Sequence, residues 1–484
     1  MELPKAYNAK EVEGQIYKRW EDSGFFNPDN LPAGEAGLQG DPYTIIMPPP
    51  NATGTLHIGH AFEVAIQDAL IRYKRMQGRK TLWLPGTDHA AIATNTKVEK
   101  DLIKKENKNR HDIGREAFIK LVEKFIADSR GTIQNQIRRM GASADWSREA
   151  FTMDEQRKQA VKVAFQKLYE AGLVYIGDRI VNWDVKGQTT VSDDEVVNKT
   201  EKGELYTFKY SKDFPIAIAT SRPETKVGDV AVAVNPADPR YKNYIGKQYD
   251  VEFAGVKLNI KIVGDEAVDQ EFGTGAVGVT PAHSMTDYEI AQRHSLPLVQ
   301  VINEYGKMMD TAGELVAGKK TKEAREIILT WLKENNLLEK TETVEQNIPT
   351  AERSGGIIEP LPKRHQWFIA VNKPFGKKKT TLKELMKNAV ESRQIKISPE
   401  HFEKIYFHWI HNLRDWNISR QLFYGHEIPA KYRYKNDGEI EVHVGDTDPK
   451  GEGWKAFEDT LDTWFSSALW TFSTLGWPDE TEDL

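Results

Sequence analysis

The stretch from Tyr43 to Gly78 constrains the fold more than any other part of the sequence. Residues 43–47 form a short β-branched and apolar run, which three prolines end and which turn and capping residues follow at 51–55. Apolar side chains then recur at helical spacing, namely Phe62, Ile66, Ala69, Leu70 and Tyr73. A strand, a tight turn and an amphipathic helix form the opening unit of a doubly wound parallel sheet, so an α/β fold is predicted.

A second strand is predicted at residues 81–85, and Asp88 and His89 follow its carboxyl end. Open α/β sheets bind their ligands at the carboxyl ends of the strands, which makes Asp88 a candidate site residue. Helices are also predicted at residues 11–23, around residues 118–126 and around residues 161–168, where apolar side chains share one face.

The pattern changes near residue 204. Short β-branched runs, as at 216–220 and 230–234, then alternate with Pro, Gly and Asn turns and predict a β-rich domain. A helix is predicted at 322–335, and residues 341–349 have the composition of a linker. The expected organisation is a doubly wound, Rossmann-like α/β domain of residues 1–203 and 346–484, interrupted by a β-barrel-like insertion of residues 204–345.

Composition excludes several kinds of chemistry. The 484 residues include no cysteine, which removes disulfides, thiol nucleophiles and thiolate-bound zinc. No apolar run approaches the roughly 18 residues needed to cross a bilayer, and residues 1–20 lack the features of a secretion signal. A cytoplasmic protein without a membrane partner is therefore expected.

Residues 372–396 contain eight basic side chains and two acidic ones. The net charge of −6 does not itself indicate a nucleic-acid partner, because phosphate binding depends on local lysine and arginine. This segment is either a solvated helix face or a contact with an RNA backbone.

The strongest local signal is the stretch Pro48-Pro49-Pro50-Asn51-Ala52-Thr53-Gly54-Thr55-Leu56-His57-Ile58-Gly59-His60. Two histidines at this spacing would by themselves more often be structural or surface residues. Here they stand at a predicted helix N-terminus, where backbone N–H groups and the helix dipole favour an anion. Gly59 lets a nucleotide approach the backbone, and imidazole donors could stabilise charge on the α-phosphate of ATP.

The stretch His57 to His60 resembles the HIGH signature of the class I aminoacyl-tRNA synthetases. Within that family, Leu84-Pro85-Gly86-Thr87-Asp88-His89-Ala90 is similar to the valyl enzymes, whereas isoleucyl and leucyl relatives usually have tryptophan at the place of Thr87. The motifs at 141–148, 181–184, 414–421 and 461–470 support the resemblance, which covers residue 7 to the end. It implies that valine is activated with ATP and Mg²⁺ and transferred to tRNA(Val), with no obligate protein partner.

The resemblance also assigns residues to the synthetic site. It implies that His57 and His60 are catalytic, that ATP contacts His57, Gly59, His60, Gly425 and His426, and that the amino acid is bound by Pro49, Asn51, Asp88, Trp416 and Trp464. Asp88 would pair with the substrate ammonium, for which a carboxylate is suited. For Trp416 and Trp464, plain core packing is the alternative.

Two further stretches resemble the hydrolytic editing domain of the family, namely 219–225 and 272–283 followed by Asp287. A polar strand end before a proline could be turn chemistry alone. The resemblance implies that Asp287 binds the ammonium of a misactivated amino acid, while Thr220 and Thr225 position the ester and water. Its other editing residues are Ser221, Arg222, Phe272 and His283. An apolar valine pocket rejects threonine only weakly, because the two side chains are nearly equal in size. The valyl enzymes are the known example, and their discrimination between valine and threonine is about a hundredfold.

The sequence departs from the family at several points. Related valyl enzymes usually carry lysine where this chain has Gly278 and aspartate where it has Ser284, so the partners of the threonyl ester are altered. Zinc-binding relatives have cysteines near Asn182, whereas Asp184 and Gly187 stand here, so no bound zinc is expected. No KMSKS-type loop follows Trp477, which leads us to expect a fragment that activates valine poorly.

Three alternatives remain open from the sequence. The chain could be an isoleucyl-type synthetase, a fragment that acts only as an editing deacylase, or a non-catalytic binding module.

Overall fold

The computed structural model describes residues 6–30, 42–445 and 447–484. The chain forms two compact units. The first comprises Met1–Val174, Ala370–Leu413 and Ile418–Leu484, and the second comprises Tyr175–Ile369 and Arg414–Asn417. The expected domain boundaries at residues 204 and 345 both lie inside the second unit.

The first unit begins with the predicted strand–turn–helix and continues with helices and short strands. Its elements before residue 174 are α1 (Ala9–Asp22), β1 (Tyr43–Ile46), α2 (Ile58–Met76), β2 (Thr81–Leu84), β3 (Gly86–Thr87), α3 (Ala91–Glu106), α4 (Arg110–Ile113), α5 (Arg115–Arg139), β4 (Ala150–Phe151) and α6 (Glu155–Glu170).

The second unit is mostly strands. Its elements are β5 (Val174–Asp184), β6 (Thr189–Val191), β7 (Val196–Phe208), β8 (Ile218–Thr220), β9 (Ala231–Val234), β10 (Gln248–Phe253), β11 (Val256–Gly264), β12 (Ala276–Val279), α7 (Met285–His294), α8 (Thr321–Glu334), β13 (Leu338–Ala351), β14 (Ile358–Ile369) and β15 (Trp416–Asn417).

The first unit resumes around β15 with α9 (Leu382–Glu391), α10 (Phe402–Asn412), β16 (Ser419–Arg420), β17 (Ala430–Tyr434), β18 (Ile440–Val444), β19 (Lys455–Ala456), β20 (Thr460–Leu461) and α11 (Thr463–Ser473). A 3-10 segment, Pro223–Gly228, follows β8 in the second unit.

The first unit contains two pairs of parallel strands. β1 pairs with β2 from Tyr43 opposite Thr81 to Ile46 opposite Leu84, and β3 pairs in parallel with β4. Side chains of β2 are buried throughout, and Trp83 packs with Met47, Val64 and Ile71. These elements confirm the α/β fold with parallel strands and an additional β-rich part.

The helix predicted after the three prolines is confirmed as α2. The apolar residues that predicted it do not face the core, however. Phe62 is 69% exposed and Tyr73 is 55% exposed, whereas Val64 and Ile71 are buried. The core of the first unit is filled from β2 and α5, which contact the Val64 and Ile71 side of the helix. A helical period shows that an apolar face exists, but it does not show what covers it.

In the second unit, β13, β7 and β8 form one sheet, and β10, β11, β9 and β12 form another. The main core of this unit is built from aromatic and aliphatic side chains of these sheets and of α8, with Phe208, Tyr210, Phe253 and Ile328 fully buried. These sheets confirm the prediction of a β-rich part, which was based on short β-branched runs separated by turns.

The prediction of a linker at 341–349 is wrong. These residues lie within β13, which pairs antiparallel with β7 along its whole length, as in Thr343 opposite Glu204 and Ile348 opposite Lys199. The polar side chains that suggested a linker are half-exposed or exposed on a long two-stranded ribbon, where the backbone hydrogen bonds need no apolar face.

None of the helices in the described ranges is long and apolar enough to cross a bilayer. Among the same residues, no cluster of three or more His, Asp or Glu side chains is arranged to hold a metal ion.

Candidate functional site

His57 and His60 form the N-terminal cap of α2. His57 is the N-cap residue, and its Nδ1 accepts the backbone N–H of Gly59 at 3.1 Å. His60, in turn, accepts the backbone N–H of His57 through its own Nδ1 at 3.2 Å. The two ring centroids are 3.9 Å apart, so the pair predicted from the motif is a single cluster at the start of the helix.

The cap fixes the protonation of both rings. An Nδ1 that accepts a hydrogen bond carries no proton, so in the neutral imidazole the proton lies on Nε2. Burial and the neighbouring His57 hold the pKa of His60 below its usual value, which favours this neutral form. Each ring therefore keeps an Nε2–H donor that the helix does not use.

Gly59 is required where it stands. A Cβ at this position would lie 2.9 Å from Cε1 and 3.0 Å from Nδ1 of His57, so any side chain would displace the capping ring. Beside the cap is an open groove of about 390 Å³ lined by His57, Gln136 and Arg139 together with Leu56, Ile58, Ala61 and Met140. The side chain of Gln136 also accepts the Leu56 N–H at 2.8 Å.

Asp88 lies at the carboxyl end of the parallel strands, beside the loop that leads to the histidines. Its backbone N–H donates to Pro50 O at 2.9 Å, and its carbonyl accepts from Ala52 N at 2.7 Å, so the two strand ends are held side by side. The carboxylate accepts the Ala90 N–H at 2.6 Å and the Ser467 hydroxyl at 2.8 Å. It is only 4% exposed, which would strengthen its interaction with a cation that enters the site.

The other residues predicted to bind the amino acid differ in their exposure and belong to both units. Pro49 is half-buried, and Asn51 is exposed and forms a parallel bridge with Asp88. Trp464 lies in the first turn of α11 and is 56% exposed, so it is not a core residue. Trp416 belongs to the second unit, where it pairs with Ile369. Their roles as pocket walls stay predictions.

His426 forms a buried imidazole pair with His89, and Gly425 precedes it in the chain. The rings of His89 and His426 meet edge to face with centroids 5.0 Å apart, and burial together with His89 holds the pKa of His426 well below its usual value. A Cβ on Gly425 would come within 3.0 Å of Thr460, so this residue is a point of close packing. The predicted adenosine contact of these two residues stays a prediction.

The second unit brings the two stretches predicted for editing together. Thr220 ends β8, and its hydroxyl accepts the Arg222 N–H at 3.1 Å. The loop of Phe272 approaches the same strand, because a Cβ on Gly273 would lie 2.6 Å from Cβ of Ala219. Phe272 is 59% exposed, while Thr225 is buried and its hydroxyl donates to Arg222 O at 2.9 Å.

Arg222 and His283 are held by a shared carboxylate, which the sequence did not indicate. The Arg222 guanidinium donates to Glu359 at 2.6 and 2.8 Å. His283 contacts Glu359 through Nδ1 at 3.2 Å and accepts the N–H groups of Val301 and Ile302 through Nε2. Burial would raise the pKa of Glu359, but Arg222 and His283 hold it below its usual value.

Because both nitrogens of His283 are engaged and the residue is 2% exposed, it holds the backbone in place at Val301 and Ile302. Burial lowers the pKa of His283, which favours the neutral imidazole. A direct role of His283 in hydrolysis stays a prediction, and its contacts support the backbone of residues 301–302.

Asp287 lies in the first turn of α7, which Ser284 caps by accepting the Asp287 N–H at 3.2 Å. One carboxylate oxygen of Asp287 accepts the backbone N–H of Thr280 at 2.8 Å. Ser284, where the sequence departs from the resemblance, is therefore the N-cap of α7.

Several residues that contact the candidate sites were not selected from the sequence, among them Ser467, Glu359, Gln136 and Lys226. Ser467 lies in a stretch that supported the resemblance, but nothing in its spacing linked it to Asp88. Contacts between residues this far apart in sequence leave no local pattern.

Known proteins resemble the chain along its whole length. The family model described as tRNA synthetases class I (I, L, M and V) matches residues 15–484. Among curated relatives, valine–tRNA ligase of Clostridium acetobutylicum is 46% identical over 492 residues, which cover 100% of this chain and 53% of the relative. The chain spans about half the length of the curated relatives it matches.

The enzymes of the same name from Streptomyces coelicolor and Thermotoga maritima are 46% and 43% identical and are covered to 53% and 54%. Among solved structures, the ternary complex of Agrobacterium radiobacter K84 agnB2 LeuRS-tRNA-LeuAMS aligns with a TM-score of 0.44 and 16% identity. That alignment covers 97% of this chain and 60% of the solved one, and a likeness this distant decides nothing about function.

Proposed function

This chain belongs to the class I tRNA synthetases, and from that premise we propose that it activates valine with ATP for transfer to tRNA(Val). The observation that carries the proposal is the cluster of His57 and His60 at the N-terminus of α2, at the end of a loop whose start is hydrogen-bonded to Asp88. Relatives named valine–tRNA ligase at 43–46% identity support valine as the substrate.

In the proposed reaction, an oxygen of the valine carboxylate forms a bond to the α-phosphorus of ATP. The bond from that phosphorus to the bridging oxygen breaks, and pyrophosphate leaves with Mg²⁺. Negative charge develops on the equatorial oxygens of the α-phosphate. The Nε2–H donors of His57 and His60 and the helix N-terminus are suited to stabilise it, because they are fixed before the substrate arrives.

Asp88 is suited to bind the valine ammonium. Its carboxylate is buried and already oriented by Ala90 N–H and by the Ser467 hydroxyl, so little side-chain entropy would be lost on binding. The apolar part of the substrate would then lie toward the half-buried Pro49 and the exposed Trp464, as the resemblance implies.

We also propose that the second unit hydrolyses threonyl-tRNA(Val). Two contacts support this function: the loop of Phe272 approaches β8 at Ala219, and Arg222, just after the end of β8, donates to His283 O, shortly before α7 and Asp287. A valine pocket cannot strongly reject threonine, so a separate hydrolytic site has a physical purpose. Three expectations stay predictions: that no zinc is bound, that the protein is cytoplasmic, and that this stretch of sequence alone activates valine poorly.

Calorimetric titration of the chain with non-hydrolysable valyl-, isoleucyl- and threonyl-adenylate analogues tests the synthetic function. We expect the valyl analogue to bind most tightly and His57→Asn to weaken its binding. Tightest binding of the isoleucyl analogue would instead support the isoleucyl alternative.

Hydrolysis of threonyl-tRNA(Val) by the same protein tests the second function. We expect Asp287→Asn to slow the hydrolysis of threonyl-tRNA(Val) at least about tenfold, because asparagine can still accept the Thr280 N–H but cannot pair with an ammonium. Hydrolysis without any adenylate binding would favour an editing deacylase, and neither activity would favour a binding module.

A further inference from the structure

Lys226 is a buried lysine in the 3-10 segment of the second unit. The residue is only 5% exposed, and its Nζ donates to Gly278 O at 2.7 Å, to Thr280 Oγ1 at 2.8 Å and to Asp229 Oδ1 at 3.1 Å. These three acceptors use all three ammonium protons. A buried ammonium is costly unless it is paired and fully hydrogen-bonded, so this site is built around its charge.

Asp229 is the counter-ion of Lys226. It is buried, and its carboxylate accepts hydrogen bonds from the Tyr210 and Thr280 hydroxyls as well as from Lys226. Burial raises the pKa of Asp229, and Lys226 is the strongest influence that opposes the rise. We call Tyr210, Lys226, Asp229 and Thr280 the Lys226 cluster.

Position 278 has no room for a side chain beside this cluster. A Cβ there would collide with Asp229 Oδ2, and it would lie 2.5 Å from Tyr210 Oη and 2.8 Å from Cδ1 of Ile218. The ammonium of Lys226, which lies in the 3-10 segment, reaches the carbonyl of Gly278.

Thr280 connects the cluster to Asp287. Its hydroxyl donates to Asp229 and accepts from Lys226, so it cannot rotate. Its backbone N–H donates to the Asp287 carboxylate at 2.8 Å. The direction of the Asp287 side chain therefore depends on where the Lys226 cluster holds Thr280.

We propose that Lys226 is a positioning residue of the hydrolytic site, which fixes Thr280 and thereby directs Asp287 toward the free ammonium of an aminoacyl ester. This inference rests on the proposed hydrolytic function and adds a specific consequence to it. The preference of the site for an ester with a free amine should depend on Lys226, although Lys226 itself touches no part of the substrate.

The test compares hydrolysis of threonyl-tRNA(Val) with that of N-acetyl-threonyl-tRNA(Val), which has no ammonium. The full chain is used, first unchanged and then as Lys226→Met and as Lys226→Met combined with Asp229→Asn. The double variant removes both buried charges together, so no unpaired charge remains if the single variant fails to fold. Lys242→Met serves as a control, because Lys242 is an exposed lysine of the same unit.

We expect the preference for the free amine, as a ratio of kcat/KM values, to fall at least about tenfold in every folded variant that lacks Lys226. Asp287→Asn should also remove the preference for the free amine, and Lys242→Met should retain this preference. A merely structural role would slow both substrates equally and leave the ratio unchanged, which would overturn the proposal. An unchanged chain that hydrolyses neither substrate would refute the hydrolytic function itself, and the inference with it.

Discussion

The Ser467 hydroxyl donates to the carboxylate of Asp88 at 2.8 Å, although the two residues are 379 positions apart in the sequence. The last helix of the first unit thus orients a side chain at the end of its parallel strands. The same helix closes the site at a second point, because Thr463 accepts the Ala91 N–H at 2.9 Å. A carboxylate held from two sides can meet an ammonium without rearrangement.

Replacement of Asp88 by asparagine should leave the fold intact and weaken binding of a valyl-adenylate analogue. The amide oxygen can still accept the Ala90 N–H, but the negative charge is lost. A hydrogen bond to a charged group contributes about 1.5–3 kcal/mol, so affinity should fall about ten- to hundredfold in calorimetry. Ser467→Ala, which keeps the charge, should cost about 1 kcal/mol, and equal affinity of Asp88→Asn and the unchanged protein would contradict the assignment.

Replacement of His57 by asparagine should separate capping from nucleotide binding. Asparagine is among the best N-cap residues, so the thermal stability of the chain should change little. The Nε2–H donor disappears, and the affinity for an adenylate analogue should fall about tenfold or more. Gly59→Ala serves as the control. It keeps both imidazoles, but its Cβ would displace the His57 ring from the capping position. Unaltered affinity in both variants would exclude the cap as the phosphate site.

Stability should decrease as the pH falls below neutral. Burial lowers the pKa of His283 and of His426 from the usual 6.5 in the folded chain. As the pH drops through about 6.5, the unfolded chain binds protons at these positions before the folded chain does, which favours unfolding. The stability is present above that pH and is lost progressively down to the lowered folded values.

Urea denaturation between about pH 8 and about pH 5.5 measures this dependence. His283→Gln should flatten the slope of unfolding free energy against pH, while replacement of the exposed His411 by asparagine should keep it. A slope that His283→Gln does not alter would show that the folded state protonates this ring as readily as the unfolded state.

The two faces of α2 should respond differently to truncation. Ile71 is fully buried beside Trp83, so Ile71→Ala should cost about 2–5 kcal/mol of unfolding free energy. Phe62 is 69% exposed, so Phe62→Ser should change stability by less than about 0.5 kcal/mol. Chemical denaturation of both variants measures this, and a large loss for Phe62→Ser would mean that the helix packs by its other face.

The elements that could be predicted from the sequence are those that local chemistry specifies. The strand at Tyr43, the turn after three prolines and the helix from Ile58 arise from β-branched runs, proline and helical period, and the structure confirms each of them. The helix predicted at 322–335 is α8, one residue displaced. The polar composition of 341–349 misled the prediction, because pairing with β7 rather than burial holds that segment in β13.

Periodicity, capping and motif order are properties of neighbouring residues, and they were enough to predict the α/β and β-rich parts, the family and the histidine pair at a helix start. The burial of Val64 and Ile71, the contact of His283 with Glu359 and the contact of Lys226 with Gly278 are visible only in the folded chain. Burial and pairing depend on atoms contributed by segments far apart in the chain. Lys226 and Thr280, which are 54 positions apart, meet only once the strands between them are packed.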